Sequence, residues 1–290
     1  MQHPLVTLAP LLASLSLACA PSQAACLSEA QVDAMMVAYA TRTPAVTPEG
    51  MSQADGECTR AMLHKRLQAQ FGPPVGYKAG LTNPAVQKRF SATAPVWGTL
   101  YASMLLNNGA SVQADFGARP LYEADMLVRV SNDAINSART PAEVMVSIDQ
   151  VIPFIELPDL VVQAPPKLNG AGVSAINVGA RLGVTGQPIA VPVMRAERYQ
   201  LQDALRDMVV RVLADGAEVD RGKGSDVLEH PLNAVVWLVQ DLPKHGARLK
   251  KGDLVSLGSF SKLLPPKPGL AVEVLYDGLP GNPVVRVGFK

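Results

Sequence analysis

Two carboxylates stand two residues apart in the segment LYEADMLVRV, residues 121–130. Side chains alternate along a β-strand, so Glu123 and Asp125 would share one face of it. The pair alone is typical of a strand with one face in solvent. Glu156, however, lies in the almost unbroken apolar run VIPFIELPDL, where burying a lone carboxylate would be costly. Together the three groups predict an oxygen-rich site for a hard divalent cation, Mg²⁺ or Mn²⁺.

A lysine between two glycines is the second candidate for chemistry. In VGYKAGLTN, alternation places Lys78 on the same strand face as Gly76 and Gly80. Glycines leave space for a ligand beside the backbone, so Lys78 could move a proton or bind a substrate carboxylate. A surface lysine on an edge strand would give the same pattern, and both interpretations stay open on this residue alone.

The elements that must position these residues follow an α+β plan. Apolar spacing predicts helices over residues 27–42 and 57–71, and from residue 75 onward the pattern changes to short strands. Strands and helices do not alternate regularly, so neither a Rossmann fold nor a (β/α)₈ barrel is supported. We therefore predict an N-terminal helical segment, residues 26–72, before a domain of mixed sheets, residues 73–290.

Charge balance and the content of cysteine and histidine argue against two kinds of partner, nucleic acid and zinc. The chain has 290 residues with 26 basic and 25 acidic side chains, and it contains no basic run. Nucleic acid is therefore not an expected partner. The cysteines and the four histidines form no cluster comparable with the carboxylates, which disfavours zinc.

Residues 1–25 are typical of an export signal. They contain no Asp, Glu, Lys or Arg, and their apolar stretch, which is short for a membrane span, is followed by small residues that suit cleavage. We expect a signal peptide here, a periplasmic or secreted mature protein, and no membrane contact after cleavage. Because the leading segment lacks Lys and Arg, an uncleaved N-terminal segment on a cytoplasmic protein is the alternative.

Cleavage after residue 25 would leave two cysteines, Cys26 and Cys58. An even number of cysteines in an exported protein permits a disulfide, which would tie the new N-terminus to the second predicted helix. Two free thiols fit the sequence equally well.

Six motifs occur in one order along the chain: GYKAGLTNPAVQKRF, GTLYASM, YEAD, VIPFIEL, GKGSDVLEHPLNAVVWLVQDL and LKKGDLVSLGS. In that order they resemble the 2-keto-4-pentenoate hydratase branch of the fumarylacetoacetate hydrolase superfamily, over roughly residues 60–289. The resemblance implies a fumarylacetoacetate hydrolase-like mixed β-roll with peripheral helices. It makes residues 73–290 the catalytic domain, and it implies a homo-oligomer.

By this resemblance the protein would be a metal-dependent hydro-lyase. It would add water to a 2-hydroxy-2,4-dienoate, the enol of a 2-oxo-4-enoate, and release a 4-hydroxy-2-oxo acid. Glu123, Asp125 and Glu156 would hold Mg²⁺ or Mn²⁺, and Lys78 would be catalytic. Contacts to the small-molecule 2-oxo acid would come from Gly80, Leu81, Asn177 and Ser259.

Several positions depart from the hydratase pattern. Asp125 stands where the family has a glutamate, Val96 where it often has an acid, and Ile176 where it often has an aspartate. A threonine-glycine pair becomes Leu257-Gly258. The ligand set is kept while the polar residues around it change, so two alternatives stay open. One is C–C cleavage or decarboxylation of a 2-oxo acid, and the other is an exported protein that binds a 2-oxo acid without turnover.

Overall fold

The computed structural model describes residues 26–290. The predicted signal peptide, residues 1–25, lies outside the described residues. Among the helices in the described part of the chain, none is both long and apolar enough to cross a membrane.

Two helices, α1 (Glu29–Thr41) and α2 (Gln53–Phe71), open the described chain. Each begins with a capping box, in which a serine side chain accepts a backbone N–H that the helix itself cannot satisfy. Both helices predicted from apolar spacing are confirmed. The second begins at Gln53 rather than at residue 57, because Ser52 supplies its cap.

A disulfide between Cys26 and Cys58 fastens the start of the described chain to α2. Their Cα atoms lie 5.7 Å apart, within the usual range for such a bridge. Of the two possibilities that the sequence left open, the structure shows the bridge and not the free thiols.

Short strands and helices make up the rest of the described chain. In chain order they are β1 (Gly76–Gly80), α3 (Pro84–Arg89), β2 (Val96–Leu100), β3 (Leu105–Asn107), β4 (Ala110–Val112), β5 (Glu123–Val130), α4 (Pro141–Met145), β6 (Ile148–Leu157), α5 (Gly170–Ala175), β7 (Leu182–Thr185), β8 (Ile189–Ala190), α6 (Arg195–Asp207), β9 (Val209–Ala214), β10 (Ala217–Lys223), α7 (Asn233–Asp241), β11 (Leu254–Ser256), β12 (Ala271–Asp277) and β13 (Val284–Phe289).

Within residues 26–290 these strands form two sheets. The larger has eight strands in the order β2-β1-β11-β5-β6-β7-β3, with β8 also paired to β6. The smaller has five strands in the order β10-β9-β12-β13-β4. The pairs β1–β11, β3–β7 and β4–β13 are parallel, whereas pairs such as β5–β6 are antiparallel. The predicted α+β plan with mixed sheets is confirmed.

Strand β5 lies in the middle of the larger sheet and is covered on both faces. Ala124, Met126 and Val128 pack in the same core as Val274 of the smaller sheet. Leu127 points the other way, into a second core that also contains buried side chains of α1 and α2. The N-terminal helical segment therefore shares a core with the larger sheet, on the face opposite the smaller sheet.

Tyr276 of β12 fastens the two sheets together. It is fully buried, and its hydroxyl lies 2.6 Å from the carbonyl oxygen of Asp125 and accepts the N–H of Phe154 at 3.1 Å. This contact fixes the backbones of β5 and β6 close to the predicted carboxylate site.

Candidate active site

One face of the larger sheet collects the four ionisable residues that the sequence singled out. Glu123 on β5 pairs directly with Glu156 on β6, and Asp125 follows on the same face of β5. Ser256 on β11 pairs with β5 on one side and with Lys78 of β1 on the other. Directly paired residues point to the same side of a sheet, so the lysine and the three carboxylates share one face.

All four side chains are buried, with exposed fractions of 4% for Lys78, 7% for Glu123, 0% for Asp125 and 3% for Glu156. Strand β1 lies between β2 and β11, so Lys78 is not on an edge strand. The two alternative interpretations, a solvent-facing carboxylate pair and a surface lysine, are therefore wrong. Charges buried in this way need compensation from one another or from a bound ion.

The ammonium of Lys78 compensates part of this negative charge. It forms an ion pair with Glu156 Oε1 and donates to the backbone carbonyl of Val178 at 2.9 Å. The second oxygen of that carboxylate, Oε2, is buried without a hydrogen-bond partner among residues 26–290. Buried polar atoms without a partner are uncommon, and this oxygen is a position that a cation would satisfy.

Backbone and hydroxyl groups hold the carboxylate of Asp125. Its Oδ1 accepts the N–H of Met126 at 2.5 Å and the N–H of Gly258 at 3.0 Å. Its Oδ2 accepts the hydroxyl of Ser256 at 2.5 Å. Each carboxylate oxygen has two lone-pair directions, so Oδ2 keeps one for a further contact.

Burial raises the pKa of all three carboxyl groups. It raises the pKa of Asp125 to about 7 and that of Glu156 to about 8, and the pKa of Glu123 is raised even though Lys78 opposes the shift. Burial by itself lowers the pKa of Lys78, but the carboxylates of Glu156 and its neighbours outweigh this and hold the pKa above its usual value. Lys78 therefore stays protonated at neutral pH, while the carboxyl groups compete for the remaining protons.

A divalent cation is the compensation that these donors suit. Carboxylate oxygens are the hard ligands that Mg²⁺ and Mn²⁺ prefer, and Glu156 Oε2 and Asp125 Oδ2 each have an unused lone-pair direction. In the conformation described for residues 26–290, no three His, Cys, Asp or Glu side chains are already arranged around one metal position. The residues fit the ion in chemical type, and the two glutamates already lie next to each other on paired strands.

A cavity of about 520 Å³ opens above this sheet face. The predicted site residues that line it are Lys78, Gly80, Leu81, Glu123 and Ser259. Asp125 and Glu156 lie beside them in the buried sheet. Much of the remaining wall is apolar and includes Val86, Leu160 and Val173. The structure thus brings together most of the residues that the sequence predicted for the site.

Asn177 does not line this cavity, unlike the other residues predicted to contact the substrate. Its Oδ1 accepts the N–H of Thr99 at 2.7 Å, and its Nδ2 donates to the carbonyl of Thr99 at 3.0 Å. The approach is possible because residue 98 is glycine: a Cβ on Gly98 would lie 2.5 Å from the carbonyl oxygen of Asn177. Asn177 therefore positions the next residue, Val178, whose carbonyl oxygen belongs to the site.

The departures from the hydratase pattern differ in how close they lie to the site. Val96 pairs with Gly80 of β1, so its apolar side chain lies on the same sheet face as Lys78. Ile176 packs in the core shared with α1 and α2, and Leu257 packs in the core between the two sheets. Val96 and Ile176 therefore both lie on the side of the larger sheet that carries the site, and Val96 is the one that pairs with β1.

Two groups of the site were missed by sequence reasoning. One is Ser256, whose hydroxyl donates to Asp125. It is the polar last residue of the otherwise apolar strand β11, and this change of polarity could have indicated it in the sequence. Val178 contributes a backbone carbonyl, for which its side chain gives no signal at all.

Curated relatives identify the kind of protein that this chain resembles. No protein-family model matches it. It is similar to 2-keto-4-pentenoate hydratase 1 of Dechloromonas aromatica (strain RCB), with 28% identity over 269 residues, 92% of this chain and 96% of that protein. It is also similar to 4-oxalocrotonate decarboxylase of Pseudomonas putida, with 26% identity over 230 residues, 79% of this chain and 83% of that protein. The chain is an enzyme of hydratase-like type, and these relatives leave its specific reaction open.

Solved structures agree on the fold. The 4-oxalocrotonate decarboxylase from Pseudomonas putida G7, complexed with magnesium and adipate, has a TM-score of 0.80 at 24% identity and covers 90% of this chain and 97% of its own. A fumarylacetoacetate hydrolase family protein from Yersinia pestis CO92 has a TM-score of 0.54 at 17% identity and covers 75% of this chain and 94% of its own. The predicted fumarylacetoacetate hydrolase-like mixed β-roll with peripheral helices is confirmed.

Proposed function

We propose that this enzyme is a metal-dependent hydro-lyase of the 2-keto-4-pentenoate hydratase branch. It adds water to a 2-hydroxy-2,4-dienoate and gives a 4-hydroxy-2-oxo acid. The observation that carries the proposal is one buried lysine and three buried carboxylates on a single sheet face beneath one cavity. Similarity to a hydratase over nearly the whole chain supports it.

Glu123, Asp125 and Glu156 would hold the metal ion, Mg²⁺ or Mn²⁺. When bound, such an ion polarises the 2-oxo group and stabilises negative charge on the enolate oxygen. The Asp125 carboxylate is already oriented for metal binding. It accepts hydrogen bonds from the Ser256 hydroxyl and from the N–H groups of Met126 and Gly258.

Lys78 is the residue that moves protons. The carboxylates around it keep its ammonium protonated, and it lines the cavity in which the substrate would lie. Hydration gives C4 a hydroxyl group and adds a hydrogen to each of C3 and C5, while the enol oxygen loses its own proton. Lys78 Nζ is a donor placed for proton delivery to carbon, or for binding the substrate carboxylate.

Apolar walls suit the hydrocarbon part of the substrate. Val86, Leu160 and Val173 would pack against the diene. Gly80 and Leu81 lie next to Lys78 along the chain, so the 2-oxo acid end would lie beside them and above the carboxylates.

The proposal is tested with purified protein, Mg²⁺ or Mn²⁺, and 2-hydroxypenta-2,4-dienoate. We expect the dienol absorbance to disappear and a single 4-hydroxy-2-oxo acid to form, in a reaction that a chelator stops. Consumption of the dienol with no hydrated product would overturn the hydro-lyase assignment.

A decarboxylase is the second candidate, because a 4-oxalocrotonate decarboxylase is 26% identical to this chain. Carbon dioxide released from a 2-oxo dicarboxylic acid, with no hydration of the dienoate, would favour this reaction. Metal-dependent binding of both acids without any product would instead favour an exported 2-oxo acid binding protein.

A further inference from the structure

A second cavity, of about 620 Å³, lies between α2, α7 and residues 91–97, the segment that leads into β2 and includes its first two residues. We call it the α2–α7 cavity and define it by the lining residues Glu57, Arg60, Trp97, Ser174, Trp237 and His245. As far as the structure describes the chain, it shares no lining residue with the cavity above the carboxylates. The proposed hydro-lyase reaction makes no use of it.

Arg60 brings an unpaired positive charge to the α2–α7 cavity. It is 3% exposed, its guanidinium lies 3.6 Å from the centre of the Trp97 ring, and one N–H donates to the Trp97 carbonyl at 3.5 Å. Residues 26–290 give it no ion pair, although Glu57 and Asp241 act on it from a greater distance. A buried guanidinium without an ion-pair partner is costly, and its planar fork suits a carboxylate.

Glu57 supplies the opposite charge from the same helix. Residues three apart lie on one face of a helix, and Glu57 and Arg60 both line the cavity. The Glu57 carboxylate accepts Nε2 of Gln53 at 2.7 Å, and His245 Nε2 lies 3.9 Å from it. The helix therefore presents a positive and a negative group side by side, without pairing them to each other.

The other carboxylate of the cavity is already satisfied. Asp241 accepts Nε1 of Trp97 and Nζ of Lys244, each at 3.0 Å. The hydroxyl of Ser174, by contrast, is fully buried at the cavity and has no hydrogen-bond partner in the described part of the chain. Arg60, Glu57 and this hydroxyl can therefore contact a ligand.

We propose that the α2–α7 cavity binds a small zwitterion of the α-amino acid class. The ligand's carboxylate pairs with Arg60 and its ammonium with Glu57, because an amino acid carries both charges on one carbon and the helix presents both partners on one face. Met51, Pro95 and Trp237 line the cavity as well and suit an apolar side chain on the ligand.

Tryptophan fluorescence reports on this cavity directly, since the two tryptophans of the chain, Trp97 and Trp237, both line it. The purified full chain is titrated with L-leucine, L-methionine and L-phenylalanine. The amine-free and carboxylate-free analogues of the tightest binder follow, which for leucine are 4-methylpentanoate and 3-methylbutylamine. We expect saturable binding of at least one amino acid and roughly tenfold or greater loss of affinity for both analogues. No saturable signal from the three amino acids, or equal affinity for the amine-free analogue, overturns the proposal.

Three variants separate ligand binding from folding. Arg60→Met keeps an unbranched side chain against Trp97 and should weaken binding roughly tenfold or more. Arg248→Met removes an exposed guanidinium outside the cavity lining and should bind as the unmodified chain does. Glu57→Gln should reduce the preference for the amino acid over its amine-free analogue, a readout that remains if Arg60→Met fails to fold. Unchanged affinity in folded Arg60→Met, or unchanged preference in Glu57→Gln, rejects the site.

Discussion

The ion pair between Lys78 and Glu156 decides how the candidate site is charged. Without Lys78 the sheet face would carry three buried carboxyl groups and no cation. Lys78 directly compensates the charge of one of them, Glu156.

Alternation in the sequence was sufficient to place Glu123 and Asp125 on one face, because side-chain direction in a strand is local. The role of Asn177 was not predictable, since it depends on a turn in which Asn177 and Val178 have φ of 55° and 54°. Valine is uncommon in that conformation, so its type gave no signal.

Glu156→Gln should remove metal binding and activity together. The amide keeps the volume of the side chain but has only one oxygen and no charge, and the buried Oε2 is the atom that we expect the ion to contact. Isothermal titration with Mn²⁺ should show a loss larger than the roughly 10–100-fold typical of changes around a metal ligand. Glu49→Gln, at an exposed surface ion pair, is the matched control. Retained Mn²⁺ affinity in Glu156→Gln would show that the three-carboxylate site is wrong.

Lys78→Met should spare metal binding and reduce turnover. Loss of a proton-transfer group lowers kcat by roughly 10²–10⁴-fold, whereas the carboxylate ligands remain in place. The measurement is kcat on the dienoate beside Mn²⁺ affinity, with Lys88→Met as a control that removes an exposed lysine of α3. Unchanged kcat in Lys78→Met would exclude Lys78 from the mechanism.

Sheet order assembles the site at the scale of elements. The predicted strands are present, but the sequence did not show that β11 lies between β1 and β5, since pairing between distant segments depends on the whole fold. That order brings Ser256 between Lys78 and the β5 carboxylates. The start of α2 at Gln53 instead of residue 57 could have been predicted, because the sequence contains the residues of its capping box, Ser52 and Asp55.

The bridge between Cys26 and Cys58 should stabilise the helices without taking part in chemistry. Its sequence separation of 32 residues corresponds to about 3–4 kcal/mol of loop-closure stabilisation on the chain-entropy estimate. A Cys26→Ser, Cys58→Ser double variant should therefore unfold at lower denaturant concentration and keep its Mn²⁺ affinity. A reductant should lower the midpoint of the unmodified chain to the same value and leave the double variant unchanged. Equal midpoints for all four samples would mean that the bridge contributes nothing.

At the scale of the whole molecule, two sheets and their covering helices form the fumarylacetoacetate hydrolase-like fold. The motif order predicted this fold, and the solved structures confirm it. Export by residues 1–25 and assembly into a homo-oligomer stay predictions. Mass measurement of the protein recovered from the periplasm would show whether the mature chain begins near Cys26, and sedimentation would show its oligomeric state.

Metal-free protein should lose stability as pH rises from about 5 to about 8. The folded-state pKa values of about 7 for Asp125 and about 8 for Glu156 lie above the unfolded values of about 4. Between these values the folded chain binds more protons than the unfolded chain, so the free energy of unfolding falls as pH rises. Mn²⁺ replaces those protons, so its stabilising effect should increase with pH. Thermal unfolding measured at about pH 6 and about pH 8, with chelator and with Mn²⁺, tests this prediction. If Mn²⁺ raises Tm above the chelator value by the same amount at both pH values, the prediction is contradicted.

A crystal structure with Mn²⁺ and oxalate is the most direct test of the account, because oxalate is a planar dianion that resembles the enolate of a 2-oxo acid. We predict one Mn²⁺ bound by Glu123, Asp125 and Glu156, with oxalate completing its coordination on the cavity side and Lys78 within hydrogen-bond distance of the oxalate. Mn²⁺ bound elsewhere, or these three carboxylates without an ion at saturating Mn²⁺, would contradict the account.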